Sequence, residues 1–177
     1  MRILKADKAK IDEIEKIYDN IHDEEEKGLA ATGWVRNVYP IRQTAMDALR
    51  RNDLFIIEDK GKVVASAVIN QIQVEEYQNA TWKHYAKDQE VMVLHCLAVD
   101  PKEKGKGYGK AFVKFYEEYA KKYGCRTLRM DTNVINTKAR KMYHKLGFEE
   151  VGIVTSVFNG IPDVRLVCLE KWFDKQE

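Results

Sequence analysis

The chain has 177 residues, 45% of them hydrophobic and 33% charged, with a formal net charge of +2; that is enough material for one sizeable core, and a single domain over residues 1–177 is expected. Acids and bases nearly cancel and are mixed along the chain, so neither a basic arm nor an acidic tail argues for a nucleic-acid partner. The longest apolar run, around Val91 to Val99, is far too short to span a bilayer, and MRILKADKAKIDEIEKIY has no apolar core of signal-peptide length, so a soluble, cytoplasmic protein with no membrane partner is expected.

The first predicted element is a short strand at Arg2 to Lys5. A helix capped by Asp7 follows, with Ile11, Ile14, Ile17, Tyr18 and Ile21 on one face and the acidic run Asp23-Glu24-Glu25-Glu26 closing it. Beyond the loop GWVRNVYP lies a second helix, Arg42 to Arg51. LFIIED and KVVASAVINQIQV then read as a hairpin turning at Asp59-Lys60-Gly61. EEYQNATWKHYAKDQE is polar and irregular, and the VMVLHCLAV after it is a strand. A helix from about Tyr108 to Tyr123 places Phe112, Phe115, Tyr116, Tyr119 and Tyr123 on its apolar face. TLRMDT reads as a strand, NTKARKMYHKLG as a short helix ended by Gly147, and FEEVGIVTSV and DVRLVCLEKW as two closing strands. This order is mixed α/β, with helices on both faces of a sheet.

Between the fourth strand and the third helix stands KEKGKGYGK, residues 102–110, with three glycines and four lysines. Glycines let a backbone approach a ligand and visit positive φ, a helix N-terminus offers free N–H groups, and lysines add positive field, so the loop points to phosphate. The other reading is a solvated basic turn. A Walker loop is excluded, because Gly105, Gly107 and Gly109 are too close together and Ala111 follows Lys110. A dinucleotide fingerprint fits poorly: the glycines run GxGxG and DPKEK separates them from the strand, although Asp131 ends the next strand roughly where a ribose-binding acid would sit. Cys96, Cys125 and Cys168 are odd in number and widely spaced, which suits buried thiols rather than a disulfide framework or metal site, and no metal is expected.

LAVDPKEKGKGYGKAF together with NTKARKMYHKLGFEEVG resembles the cofactor half of the GNAT superfamily of acyl-CoA N-acyltransferases. The first stretch matches [Q/R]-x-x-G-x-[G/A] over Lys104 to Gly109, with Lys104 where Gln or Arg is usual. The second matches N-x-x-A-x-x-x-Y-x-x-x-G-F over Asn136 to Phe148. The resemblance implies a mixed, mostly antiparallel sheet splayed between the fourth and fifth strands. It also implies an acetyl-CoA-dependent N-acetyltransferase whose acceptor amine attacks directly in a ternary complex. Carried over, the backbone of Leu97, Ala98 and Val99 would meet the pantetheine arm, the amide near Leu97 polarising the thioester carbonyl. Lys104, Gly105, Lys106, Gly107, Tyr108, Gly109 and Lys110 would hold the pyrophosphate. Asn136 would touch the pantetheine, and Lys138 or Arg140 the nucleotide phosphates.

Tyr143 occupies the position of the family's general acid; read by spacing alone it is a core aromatic. A free amine with pKa near 10 costs roughly 4 kcal/mol to deprotonate at pH 7, so a base helps. His95 is the first candidate, with a core histidine as the alternative, and Glu90 a weaker one. His144 is expected to be exposed. In the resembled fold the loop between the first two helices overhangs the acceptor side, so Trp34 and Tyr39 would form an aromatic wall and Arg36 or Arg42 would pair with a carboxylate, which would suit an amino acid or peptide terminus; the alternative is that Trp34 packs the loop down. The run Asp23 to Glu26 would attract a polyamine or aminoglycoside, or be a solvated helix end. Trp82, His84 and Tyr85 would shape the pocket or a homodimer contact. A CoA-binding module without turnover, or an enzyme for a longer acyl-CoA, are the alternatives.

Overall fold

The computed structural model describes residues 1–173. Its elements run β1 (Arg2–Lys5), α1 (Ile11–Glu26), α2 (Arg42–Arg51), β2 (Leu54–Asp59), β3 (Lys62–Asn70), β4 (Val91–Val99), α3 (Tyr108–Lys122), β5 (Thr127–Asn133), α4 (Thr137–Lys145), β6 (Glu149–Phe158) and β7 (Ile161–Trp172). The seven strands form one sheet in the order β1-β2-β3-β4-β5-β7-β6. Every neighbouring pair is antiparallel except β4 and β5, the two joined by the α3 crossover.

Period-two alternation assigns the faces. On β2, Leu54 and Ile56 meet Ile11, Ile14, Ile17, Ile21, Ala45 and Ala48 of α1 and α2. Phe55 and Ile57 point the other way, into the layer of α3 and α4. All five residues expected on the inner face of α1 are buried. Asp7 caps a short 3-10 turn, Lys8–Lys10, that leads into α1, its carboxylate accepting from the Ala9 N–H at 2.8 Å.

Two expectations shift. The buried stripe of α3 is Phe112, Val113, Tyr116 and Ala120, whereas Tyr123 is 54% exposed. Small Ala120 lets the helix lie close to the sheet, and Phe115 and Tyr119 form a ridge beside it, their ring centroids 5.4 and 5.0 Å from that of Phe55. The second hairpin strand ends at Asn70 rather than running through QIQV, because Asn70 Oδ1 accepts the Ile72 N–H at 2.9 Å and turns the chain.

The irregular segment 71–90 is fastened to the sheet by a buried ion pair, Arg129 of β5 with Glu170 of β7. Arg129 donates to Gln73 Oε1 at 2.7 Å and to the His84 carbonyl at 3.0 Å, and lies over the Trp82 ring. Glu170 accepts the N–H groups of Lys83 and His84. Trp82 and His84 are thus structural anchors; Tyr85 is 89% exposed.

Candidate functional site

The site begins where the sheet opens. β4 and β5 pair only from Val91↔Thr127 to Leu94↔Met130, although β4 runs on to Val99 and β5 to Asn133. On the other side of β4 the register with β3 slips by one residue between Val68↔His95 and Ser66↔Ala98. That bulge leaves Cys96, at φ +48°, and Leu97 without a registered partner on either strand. The gap belongs to a cleft of about 1180 Å³ lined along β4 by His95, Cys96, Leu97 and Val99. Ala98 is fully buried in the layer under α1 instead.

One end of the cleft runs under the glycine loop. Gly107 sits at φ +83° as the N-cap of α3, with no side-chain cap, so the first-turn N–H groups are left to a ligand. A Cβ on Gly109 would lie 3.2 Å from Met142 Sδ, so that glycine lets α3 and α4 approach. The lysines divide. Lys104 is paired to Glu24 at 2.7 Å and Lys106 to Glu103, whereas Lys110 lines the cleft and makes no ion pair with another described residue. Tyr108 donates to Asp59 Oδ2 at 2.7 Å. On α4, Asn136 caps the helix through the Ala139 N–H at 3.2 Å and reaches Thr132 Oγ1 with its amide. Lys138 lines the cleft, while Arg140 is turned away in a two-pronged bond to Glu150 at 2.7 and 2.8 Å.

Where the strands part, Tyr143 of α4 is buried and lines the cleft, its ring edge-on to Phe148 at 6.2 Å. Its hydroxyl makes no hydrogen bond to another described residue. Burial, then the Asp131 charge, pushes that hydroxyl well above the usual tyrosine value, so it keeps its proton at physiological pH. Asp131 of β5 faces the same space and accepts the Tyr77 hydroxyl at 2.8 Å. Burial pushes this carboxyl up to about 6, Tyr77 opposing and Glu76 adding to the rise.

His95 is held differently. Asn70 donates its amide N–H to Asp53 Oδ2 at 2.8 Å, which turns Oδ1 towards His95 Nε2 at 3.1 Å. Nε2 therefore carries the proton. Burial pushes this imidazole down to about 4, so it is neutral at physiological pH.

At the far end, the loop between α1 and α2 roofs the cleft. Glu25 organises it, accepting the Thr32 N–H and hydroxyl at 2.8 Å each and the Gly33 N–H at 2.9 Å. Trp34 and Tyr39 line the cleft with ring centroids 6.1 Å apart, and Tyr39 reaches Phe158 of β6 at 6.5 Å. The two arginines go elsewhere: Arg36 pairs with Asp19, Asp23 and Glu26, and Arg42 with Asp12 and Glu15, all on the outer side of α1. The acidic run is likewise spent, Asp23 and Glu26 on Arg36, Glu24 on Lys104 and Glu25 on the loop.

Residues 14–148 match the Acetyltransferase (GNAT) family. The chain belongs to that family. It is 33% identical over 100 residues to an uncharacterized N-acetyltransferase of Methanocaldococcus jannaschii, a match covering 56% of this chain and 40% of the relative, so the chain aligns with less than half of that relative's length. A GNAT-family acetyltransferase from Streptococcus agalactiae superposes with a TM-score of 0.82 at 22% identity, covering 98% of this chain and 96% of that one. A Salmonella typhimurium protein solved with its cofactor acetyl-CoA gives 0.69 at 18% identity, covering 100% and 96%. These last two are likenesses of fold.

The residues that the GNAT resemblance assigned to the site are thus brought together in part: most of the glycine loop, Leu97, Val99, Asn136 and Tyr143 border one cleft. Lys106, Arg140, Arg36, Arg42 and Glu90 are not among its lining residues. Glu90 lies at the paired end of β4 and caps the turn at Lys87, accepting that N–H at 2.9 Å. His144 is exposed. Tyr77 was not foreseen as a site residue, and Asp131 was considered only as the ribose acid of a dinucleotide site. The available signal was parity, since Arg129 and Asp131 alternate with Leu128 and Met130, two charged groups on one side of a strand whose other side is apolar. No helix among the described residues is long and apolar enough to cross a membrane, and no metal-binding cluster of His, Cys, Asp or Glu occurs among them.

Proposed function

We propose that the protein transfers an acetyl group from acetyl-CoA to a primary amine by direct attack in a ternary complex. The observation that carries this reading is the parting of β4 and β5 after Leu94, below a helix N-terminus with no side-chain cap and beside a protonated Tyr143 hydroxyl that has no partner among the described residues. The residues present fit the cosubstrate. The α3 N-terminus with Lys110 and Lys138 would hold its phosphates, and the unpaired backbone at Cys96 and Leu97 its pantetheine amides. When bound, acetyl-CoA supplies an acyl group activated as a thioester.

The chain's own groups account for the protons. Asp131 takes a proton from the amine nitrogen as the C–N bond forms, and Tyr143 gives one to the sulfur as the C–S bond breaks. A carboxylate titrating near 6 is better matched to that task than an imidazole near 4. His95 instead fixes the acceptor side of β4 through Asn70 and Asp53. Residues 1–177 act as one domain.

The test is a thermal-shift titration against acetyl-CoA, CoA and NAD, then amine-dependent thiol release. Acetyl-CoA should stabilise the wild type by about 2.7 kcal/mol at a hundred times its Kd and leave Gly107→Glu unshifted. Tyr143→Phe should keep that stabilisation and lose on the order of 100-fold or more in kcat. A response to NAD alone would overturn the reading, and an unchanged kcat would remove Tyr143 from it.

A further inference from the structure

We propose that the acceptor is a small primary amine carried on an apolar, aromatic-sized body with no carboxylate; this rests on the acetyl-transfer reading above and narrows it. The acceptor end of the cleft combines three features. Its walls are apolar and aromatic, formed by Trp34 and Tyr39 of the loop, Phe158 of β6, and Val164 and Leu166 of β7. On the β5 side stands an acid, Asp131, oriented by the Tyr77 hydroxyl at 2.8 Å and near enough to raise the pKa values of both Tyr39 and Tyr143, while Asp47 of α2, which also lines the cleft, is paired with Arg50 at 3.0 Å. An ammonium entering here trades water for a carboxylate and ring faces, which attract a cation.

The second feature is what the cleft lacks for an acid. Among the described residues, the arginines of the loop and of α2 are already paired, Arg36 and Arg42 to acids on the outside of α1 and Arg51 to Asp53 at 2.9 Å, while Arg165, between Val164 and Leu166, is exposed on the other side of β7 and does not line the cleft. Lys104 is held by Glu24, and the unpaired lysines, Lys110 and Lys138, stand at the helix N-termini of the phosphate end. A substrate carboxylate would therefore enter beside Asp131 with no partner and a like charge as neighbour.

The third feature is size. The loop and the β6–β7 turn meet across the chamber: a Cβ on Gly160 would lie 3.4 Å from Val38 Cγ1, and Tyr39 packs on Phe158. Gly33 is pressed against the Asn133 side chain of β5, where a Cβ would overlap the amide. A roof tied at both sides suits a small molecule rather than an extended polypeptide.

The test compares rates of CoA thiol release, at saturating acetyl-CoA, for phenethylamine, phenylalanine, spermidine and the tripeptide Phe-Ala-Ala, with an acetyl-CoA thermal shift run beside them. Phenethylamine should exceed phenylalanine in kcat/KM by about 100-fold or more, and exceed the other two. Asp131→Asn should remove most of its turnover while leaving the acetyl-CoA shift in place. Equal or better use of phenylalanine, spermidine or the tripeptide overturns the acceptor assignment and leaves the transferase reading standing. Turnover of none of the four by a protein that does bind acetyl-CoA overturns the assignment as well. Absence of any acetyl-CoA shift overturns both.

Discussion

Replacing Asp131 with asparagine should make the protein more stable at neutral pH while impairing it as a catalyst. The carboxyl titrates near 6 in the folded state against an ordinary 3.8, so the folded chain binds the extra proton between those values. Stability therefore falls as pH rises from about 4 to about 7 through this group, and the full ionisation penalty, about 3 kcal/mol, is present above pH 7. Asparagine keeps an acceptor for Tyr77 and never ionises. The groups facing Asp131 are Tyr77, Glu76, Tyr39, Tyr143 and Cys168. The tyrosines and Cys168 hold their protons throughout the window, their pKa values being raised. His95, pushed down, titrates in both proteins and cancels in the difference. Urea denaturation of wild type and Asp131→Asn at pH 4, 5, 6, 7 and 8 should show curves that coincide at pH 4 and diverge to about 2–3 kcal/mol in favour of the variant at pH 8. A difference that is flat with pH, or a variant less stable at pH 8, would refute the account of a desolvated carboxylate. A more stable variant with undiminished amine turnover would refute Asp131 as the proton acceptor.

Two other perturbations probe the supports of the site. Glu170→Gln leaves Arg129 buried without its counter-charge and weakens the hold on Lys83 and His84, so denaturant unfolding should show a loss of about 3 kcal/mol; a loss below about 1 kcal/mol would mean that segment 71–90 holds itself. Glu25→Ala removes the carboxylate that accepts three bonds from Thr32 and Gly33, and should cost about 2 kcal/mol of stability. Because those bonds hang the Trp34–Tyr39 roof, the acceptor KM should rise on the order of tenfold with acetyl-CoA binding unaffected; steady-state kinetics giving an unchanged KM would show that the roof is held elsewhere.

The order of elements and most of their ends were legible in the sequence because they are local properties. Ile11, Ile14, Ile17, Tyr18 and Ile21 mark a helix by their spacing alone, and Gly61 and Gly147 stop their elements through backbone conformation. The glycine loop and the Asn136 to Phe148 run could be recognised because each is a contiguous motif, and it was their resemblance to the GNAT superfamily that implied one shared cofactor site. What tertiary structure decided is which charges remain available, since an ion pair forms between residues far apart in the chain. Arg36, Arg42 and Arg140 read as ligand-binding cations, and each was already satisfied by an acid that no local pattern connects to it. Lys104 went to Glu24, 80 residues away. Conversely, Asp131, read at the end of its strand only against a dinucleotide ribose, became the desolvated acid of the cleft, because the bulge in β4 and the departure of β5 surround it with Tyr77, Tyr143 and Tyr39. Its desolvation is a sum over distant neighbours, a quantity fixed only once the chain has folded around it.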